Sequence, residues 1–155
     1  MLEQIHRLIQ EQDVCVLATA SENRPHTSLM AYAAAQDSHT IFLASSRSTR
    51  KYGNVSRNPS VSLLVNDLGN TPRPERSQAQ ALTLSGVAAS MPEGQAKAEA
   101  RELMLARHPH LQTFLDHPDV DLLAVEVETV LLLIGVRESH FERIAAPRPS
   151  ETARV

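Results

Sequence analysis

The chain is expected to be mainly β, an antiparallel barrel or sandwich with peripheral helices. Three observations carry that expectation. Short apolar runs rich in Val, Leu and Ala succeed one another at hairpin-like distances. Turn clusters such as Ser21–Pro25 and Gln36–Ser38 separate them. Helical periodicity is confined to a few segments that do not alternate with the strands, which argues against a doubly wound sheet.

Taken in order, Leu2, Ile5, Leu8 and Ile9 recur at helical spacing and mark a short amphipathic helix. The run Val14–Ala20 is too short for a buried helix and reads as a buried strand. His26–Ala33 resumes after the turn, so the first two strands form a hairpin, and Thr40–Ala44 is a third strand. Tyr52–Arg57 makes a helical turn that stops at Asn58-Pro59, because proline disfavours helix at the residue before it. Val61–Val65 is the next strand. Asp67–Gln78, with Gly69, Pro72 and Pro74, has no periodicity and reads as a mobile loop. Ala79–Ser90 is a long strand in which Gly86 marks a bulge or bend. Gln95–Arg107 is the strongest helix, with Ala96, Ala100, Leu103 and Met104 on one face, and His108-Pro109 ends it. His110–Leu115 adds a helical turn. Leu122–Val127, Val130–Val136 and Phe141–Ala145 are read as three further strands.

The length of 155 residues fits one domain, placed at 1–146, with a fraying tail over 147–155. A chain of this size buries roughly 68–70% of its unfolded surface, enough for a core without staples. The net charge of −3 offers no whole-chain attraction for nucleic acid, and Trp, the best stacking residue, is missing. No apolar run approaches the ~20 residues of a membrane span, and no signal core opens the chain, so a cytoplasmic protein is expected. The single cysteine, Cys15, sits in an apolar run and reads as a small buried hydrophobe. It allows no intrachain disulfide and no cysteine-based zinc site.

One segment carries chemistry. Ser45–Lys51 gathers the cations Arg47, Arg50 and Lys51 beside the hydroxyls of Ser45, Ser46, Ser48 and Thr49. A phosphate monoester is held by charge-assisted donors and short hydroxyls, and arginine forks and lysine point charges complement it. The glycine-rich signatures of dinucleotide and P-loop sites do not occur, nor does H-E-x-x-H or G-x-S-x-G. Glu126 and Glu128 alternate with Val125 and Val127 and read as the wet face of a strand.

The run from Val14 to Asn66 resembles the N-terminal half of the pyridoxamine 5′-phosphate oxidase-like FMN-binding split barrels. The residues that carry the likeness are Arg24-Pro25, the strand His26–Ala33, the strand Thr40–Ala44, Ser48-Thr49-Arg50-Lys51, Asn58-Pro59 and Val61–Val65. Leu82–Gly86 is similar to the family's next strand, and Leu122–Val136 resembles its C-terminal half more weakly. The resemblance implies a split β-barrel of six to eight strands. It implies FMN, with Arg50 and Lys51 and either Thr49 or Ser48 on the phosphate. The ring would lie along Ser28, Leu29, Met30 and Ala31, with Ala44 and Ser45 at the ribityl chain and ring edge, and Gln80 reaching the flavin. It implies a homodimer with FMN in the groove between two chains. Ser28 replaces an arginine of the closest oxidases, and their C-terminal tryptophan has no counterpart here. A general flavin-binding relative is therefore expected, an FMN-dependent oxidoreductase acting on an unidentified small substrate. The alternatives are a non-catalytic flavin-binding protein and a haem-binding or haem-degrading split barrel, with His140, then His108 or His110, as axial ligand.

Overall fold

The computed structural model describes residues 2–144. The element order is α1 (Leu2–Glu11), β1 (Val14–Ser21), β2 (Arg24–Ala34), β3 (Thr40–Ser46), α2 (Arg50–Arg57), β4 (Ser60–Asn66), a 3-10 helix (Arg73–Gln78), β5 (Gln80–Ser90), α3 (Gln95–Arg107), a short 3-10 turn, α4 (Gln112–Leu115), β6 (Val120–Ile134) and β7 (Glu138–Arg143). The tail expected at 147–155 and the end of the strand expected at Phe141–Ala145 lie outside the described residues.

The sheet runs β3-β2-β1-β4-β5-β6-β7, every pair antiparallel, and β3 also pairs with β6. That last pairing closes six strands into the expected barrel and leaves β7 outside the ring. The first half of β6, Val120–Glu126, pairs with β3, and its second half, Thr129–Ile134, pairs with β7. Closure removes the exposed edges that an open sheet would present.

Two refinements of the sequence reading have clear physical causes. The β1–β2 turn is only Glu22-Asn23, with φ of 51° and 59°, so Arg24 and Pro25 already belong to β2. Paired positive φ values are the signature of a tight I′ hairpin, whose twist matches that of its strands. Further on, the two strands expected at Leu122–Val127 and Val130–Val136 are one continuous strand, β6, which ends at Ile134 and leaves Gly135 and Val136 in the turn to β7. Its buried residues change phase, Val125 and Val127 before and Val130 and Leu132 after, because Glu128 is an extra residue opposite the Ser85/Gly86 step. This β-bulge is the one Gly86 marked. A Cβ on Gly86 would lie 2.0 Å from the Glu126 carbonyl oxygen, so only glycine fits the crossing.

The core inside the ring is aliphatic, built from Leu17, Leu43, Leu63, Leu82, Leu84 and Leu132 with neighbours. Helix α1 adds Ile5, Leu8 and Ile9, and the Tyr32 hydroxyl donates to the Ile9 carbonyl at 2.8 Å. Strand β3 is buried on both faces. Ile41 and Leu43 point into the ring, while Phe42 and Ala44 join Ala33 and Leu122 beneath Ala100 and Met104 of α3. Cys15 is 2% exposed and burial pushes its thiol up to about 12, which removes the thiolate as a nucleophile at neutral pH. Among the described residues no helix is long and apolar enough to cross a membrane.

Candidate functional site

The chemistry expected of Ser45–Lys51 depends on how that segment is folded. Helix α2 starts two residues earlier than periodicity suggested, so Arg50 and Lys51 are its first residues and Thr49 is its N-cap. Ser and Thr are favoured there because their oxygen accepts an otherwise orphaned N–H. Thr49 Oγ1 accepts from the Tyr52 N–H at 3.4 Å and donates to the Ser46 carbonyl at 2.8 Å. Ser45 Oγ also donates to the Ser46 carbonyl, at 3.1 Å, and lies 2.9 Å from Thr49 Oγ1, so the two hydroxyls converge on one carbonyl.

The loop before the helix is strapped to the start of β6. Asp119 accepts from the hydroxyls of Ser46 and Ser48, and the Arg47 guanidinium donates to the Pro118 carbonyl. The Arg47 N–H donates to the Asp119 carbonyl at 2.9 Å. The Ser46 hydroxyl, chiefly, holds the Asp119 carboxyl below its ordinary range. Next to it, Asp121 is buried. Burial alone would raise its pKa, but hydrogen bonds from Lys97, Ser90, Tyr52 and the Leu122 N–H outweigh this and bring it to about 2. Lys97 Nζ lies 2.8 Å from Asp121 Oδ1, and the Tyr52 hydroxyl donates to Oδ2 at 3.0 Å. One carboxylate thus ties α2, α3, β5 and β6 together.

Beside this frame opens a cleft of about 260 Å³. Leu29, Met30 and Ala31 of β2 and Ala44 and Ser45 of β3 line it, with Thr49 and Lys51 at one end. The sequence reading named all of these. Met104, Leu111 and Phe114 form the opposite, apolar wall. They were missed because Met104 sits on an apolar helix face that reads as core, and Phe114 lies in a segment whose only signal is a weak helical turn. Lys51 has no carboxylate within 4.0 Å among the described residues. The cleft is therefore cationic at one end and apolar at the other.

The remaining expected residues lie elsewhere. The Ser48 hydroxyl is taken up by Asp119 and Ser46. Ser28 Oγ contacts His26 Nε2 at 3.3 Å and does not line the cleft. Arg50, although adjacent to Lys51, opens into a second cavity with Arg24, His26 and Arg57. Gln80 lines a third, beside Glu3, Arg7, Glu11 and Asp67 at α1. Of the histidines, His108 is buried with Nε2 2.8 Å from the Tyr32 carbonyl oxygen. His140 pairs with Leu132 across β6–β7 and is not part of the cleft. Among the described residues no group of three or more His, Cys, Asp or Glu is placed to hold a metal ion.

Comparison with known proteins agrees with this architecture. The family model described as pyridoxamine 5′-phosphate oxidase matches residues 1–134. A pyridoxamine 5′-phosphate oxidase homolog of Schizosaccharomyces pombe is 28% identical over 160 residues, covering 81% of each chain. Among solved structures, a heme binding protein from Mycobacterium smegmatis superposes with a TM-score of 0.81 at 22% identity over 92% of this chain. The present chain spans only 57% of that protein's length. The heme storage protein HutZ of Vibrio cholerae matches with a TM-score of 0.71 at 21% identity, covering 86% of this chain and 93% of its own. At these identities the structures show a common fold, and the family model, which covers most of the chain, shows that this protein belongs to the pyridoxamine 5′-phosphate oxidase family.

Proposed function

We propose that the protein binds FMN in the Lys51 cleft, as a homodimer, and serves as a flavin-dependent oxidoreductase for a small substrate. The observation that carries this reading is the cleft itself. It joins an unpaired lysine and the start of α2 to the apolar strand Leu29–Ala31, as a phosphate-bearing, ring-bearing cofactor requires. Bound FMN supplies the redox chemistry, and the chain supplies position and electrostatics. Lys51 holds the phosphate, Ala44 and Ser45 border the ribityl chain, and Met104, Leu111 and Phe114 keep water from the ring.

At about 260 Å³ the cleft is smaller than the roughly 300–1,000 Å³ of typical ligand pockets, so a second chain is expected to complete it. The outer face of the barrel supports that. Leu29, Val16, Leu64, Thr83, Leu131 and Phe141 are cross-strand neighbours in one row over six strands. Its ends are open to solvent, Leu29 at 75% and Phe141 at 63%. A row of this kind is a docking face, and because Leu29 also lines the cleft, a second copy seated there borders the cofactor.

The visible spectrum of the purified, untagged protein tests the cofactor. Flavin bands, released on denaturation and weakened in Lys51→Ala, are the expected outcome. A Soret band would replace the reading with haem, which the names of the M. smegmatis and V. cholerae neighbours favour and for which His140 is the side chain to mutate. A colourless protein that takes up no added FMN would sink both.

A further inference from the structure

A fourth cavity, about 270 Å³, opens between α1 and α3 over β2. Leu103, Ala106 and Arg107 line it from α3 at i, i+3 and i+4, one face of the helix. Ile9 and Gln10 line it from α1. It shares no residue with the Lys51 cleft. The cleft rests on Leu29–Ala31 of β2 and this cavity on Tyr32–Ala34, while Met104, fully buried, lines the cleft alone. The space is open because Ala33, Ala34 and Ala106 are too short to fill it, and Leu103 beside them is 43% exposed.

Its polar side chains are mostly spent. The Tyr32 hydroxyl donates to the Ile9 carbonyl at 2.8 Å. Gln10 Nε2 donates to the Ala35 carbonyl at 2.8 Å and to Ser38 Oγ at 2.9 Å, which uses both hydrogens of the amide. Arg107 is left. Its Nη2 donates to the Gln12 carbonyl at 2.7 Å, and among the described residues no carboxylate lies within 4.0 Å of it. One bond does not exhaust a guanidinium fork, so the cavity offers an anion one cationic donor group, set at the edge of an apolar wall.

We propose that this cavity binds a small monocarboxylate, its carboxylate on Arg107 and its aliphatic or aryl body against Leu103, Ala106 and Ala33. A guanidinium fork matches the two oxygens of a carboxylate. A second charge on the ligand would be buried against the apolar wall without a partner, which disfavours diacids. The volume, about 270 Å³, has room for about nine non-hydrogen atoms at the ~30 Å³ that a water molecule takes up in the liquid. The inference is independent of the cofactor and of its cleft.

Hexanoate is the probe, titrated into the isotope-labelled protein while the amide resonances are followed. Saturable shifts at Ala33, Ala34 and Ala106 that persist when FMN is added support the proposal. So does binding about tenfold weaker in Arg107→Gln, the worth of one charge-assisted bond, with Lys51→Ala unchanged. Ala106→Leu, at an exposed position of α3, fills the cavity and should abolish the shifts while Arg107 stays in place. That variant decides the matter if Arg107→Gln melts early through loss of its bond to Gln12. Absence of saturable shifts, or native affinity in Ala106→Leu, overturns the site. Competition by FMN overturns it as well, since hexanoate would then sit at Lys51. Equal binding of hexan-1-ol overturns the carboxylate assignment.

Discussion

Two cation-bearing surfaces meet at the first turn of α2, and they differ in what their charges touch. On the side of the loop 46–49, Arg47 and the hydroxyls of Ser46, Ser48 and Thr49 bond to the protein itself, chiefly to Asp119, Asp121 and backbone carbonyls. On the side of the β1–β2 turn, Arg24, Arg50 and Arg57 bond to no carboxylate among the described residues. The polar residues of Ser45–Lys51 are thus of two kinds. Some build a frame, and others, Lys51 and Arg50, are left for whatever enters the two cavities.

The largest expected effect comes from breaking the frame. Asp121→Ala leaves Lys97 without its buried partner and should cost about 3–5 kcal/mol in denaturant unfolding. It should also weaken FMN binding, because Tyr52 and the loop lose their anchor. The same carboxylate predicts acid sensitivity. Its folded pKa, about 2, lies below the ordinary 3.8, so its stabilisation is present above about pH 4 and is lost as pH falls towards 2. The amount is about 2 kcal/mol, and the acid limb of a stability–pH curve should flatten by that much in Asp121→Asn.

Removing a ligand-facing charge should leave stability nearly untouched. Lys51→Ala is expected to weaken FMN binding about tenfold to a hundredfold, the worth of one charge-assisted bond, with an unchanged melting temperature. Arg50→Ala should weaken FMN less, since its guanidinium opens into the other cavity; equal losses from both would erase the distinction between the two surfaces. The smallest effect should be Ser48→Ala, an exposed hydroxyl bonded within the loop. Stability should change by less than about 0.5 kcal/mol and FMN affinity by less than about twofold.

How much of this was legible follows the range of each signal. Local patterns were readable: the α1 stripe of Ile5, Leu8 and Ile9, the hairpin of β1 and β2, and Gly86 as a bulge. The cation- and hydroxyl-rich segment Ser45–Lys51 was legible as residue types, and Leu29–Ala31, Ala44, Ser45, Thr49 and Lys51 do line one cleft. What could not be read is direction. Consecutive residues on a helix point about 100° apart, so Arg50 and Lys51 part company although they are neighbours in sequence. The role of Asp121 could not be read either, because the residues that bond it, Tyr52, Ser90 and Lys97, come from distant segments. Gln80 resembled a flavin contact but faces α1 within its own chain.

Ring closure has a kinetic consequence. Thr40 and Glu126 hydrogen-bond across 86 residues of sequence, within the pairing of β3 with β6 that completes the barrel. Contacts of such separation form late, because loop entropy must be lost before they contribute. During synthesis β3 therefore waits with a bare edge until most of the chain has left the ribosome. The frame around Asp121 cannot assemble before then, so the end of the molecule that carries the Lys51 cleft should be the last part to mature and the part most dependent on protection from aggregation.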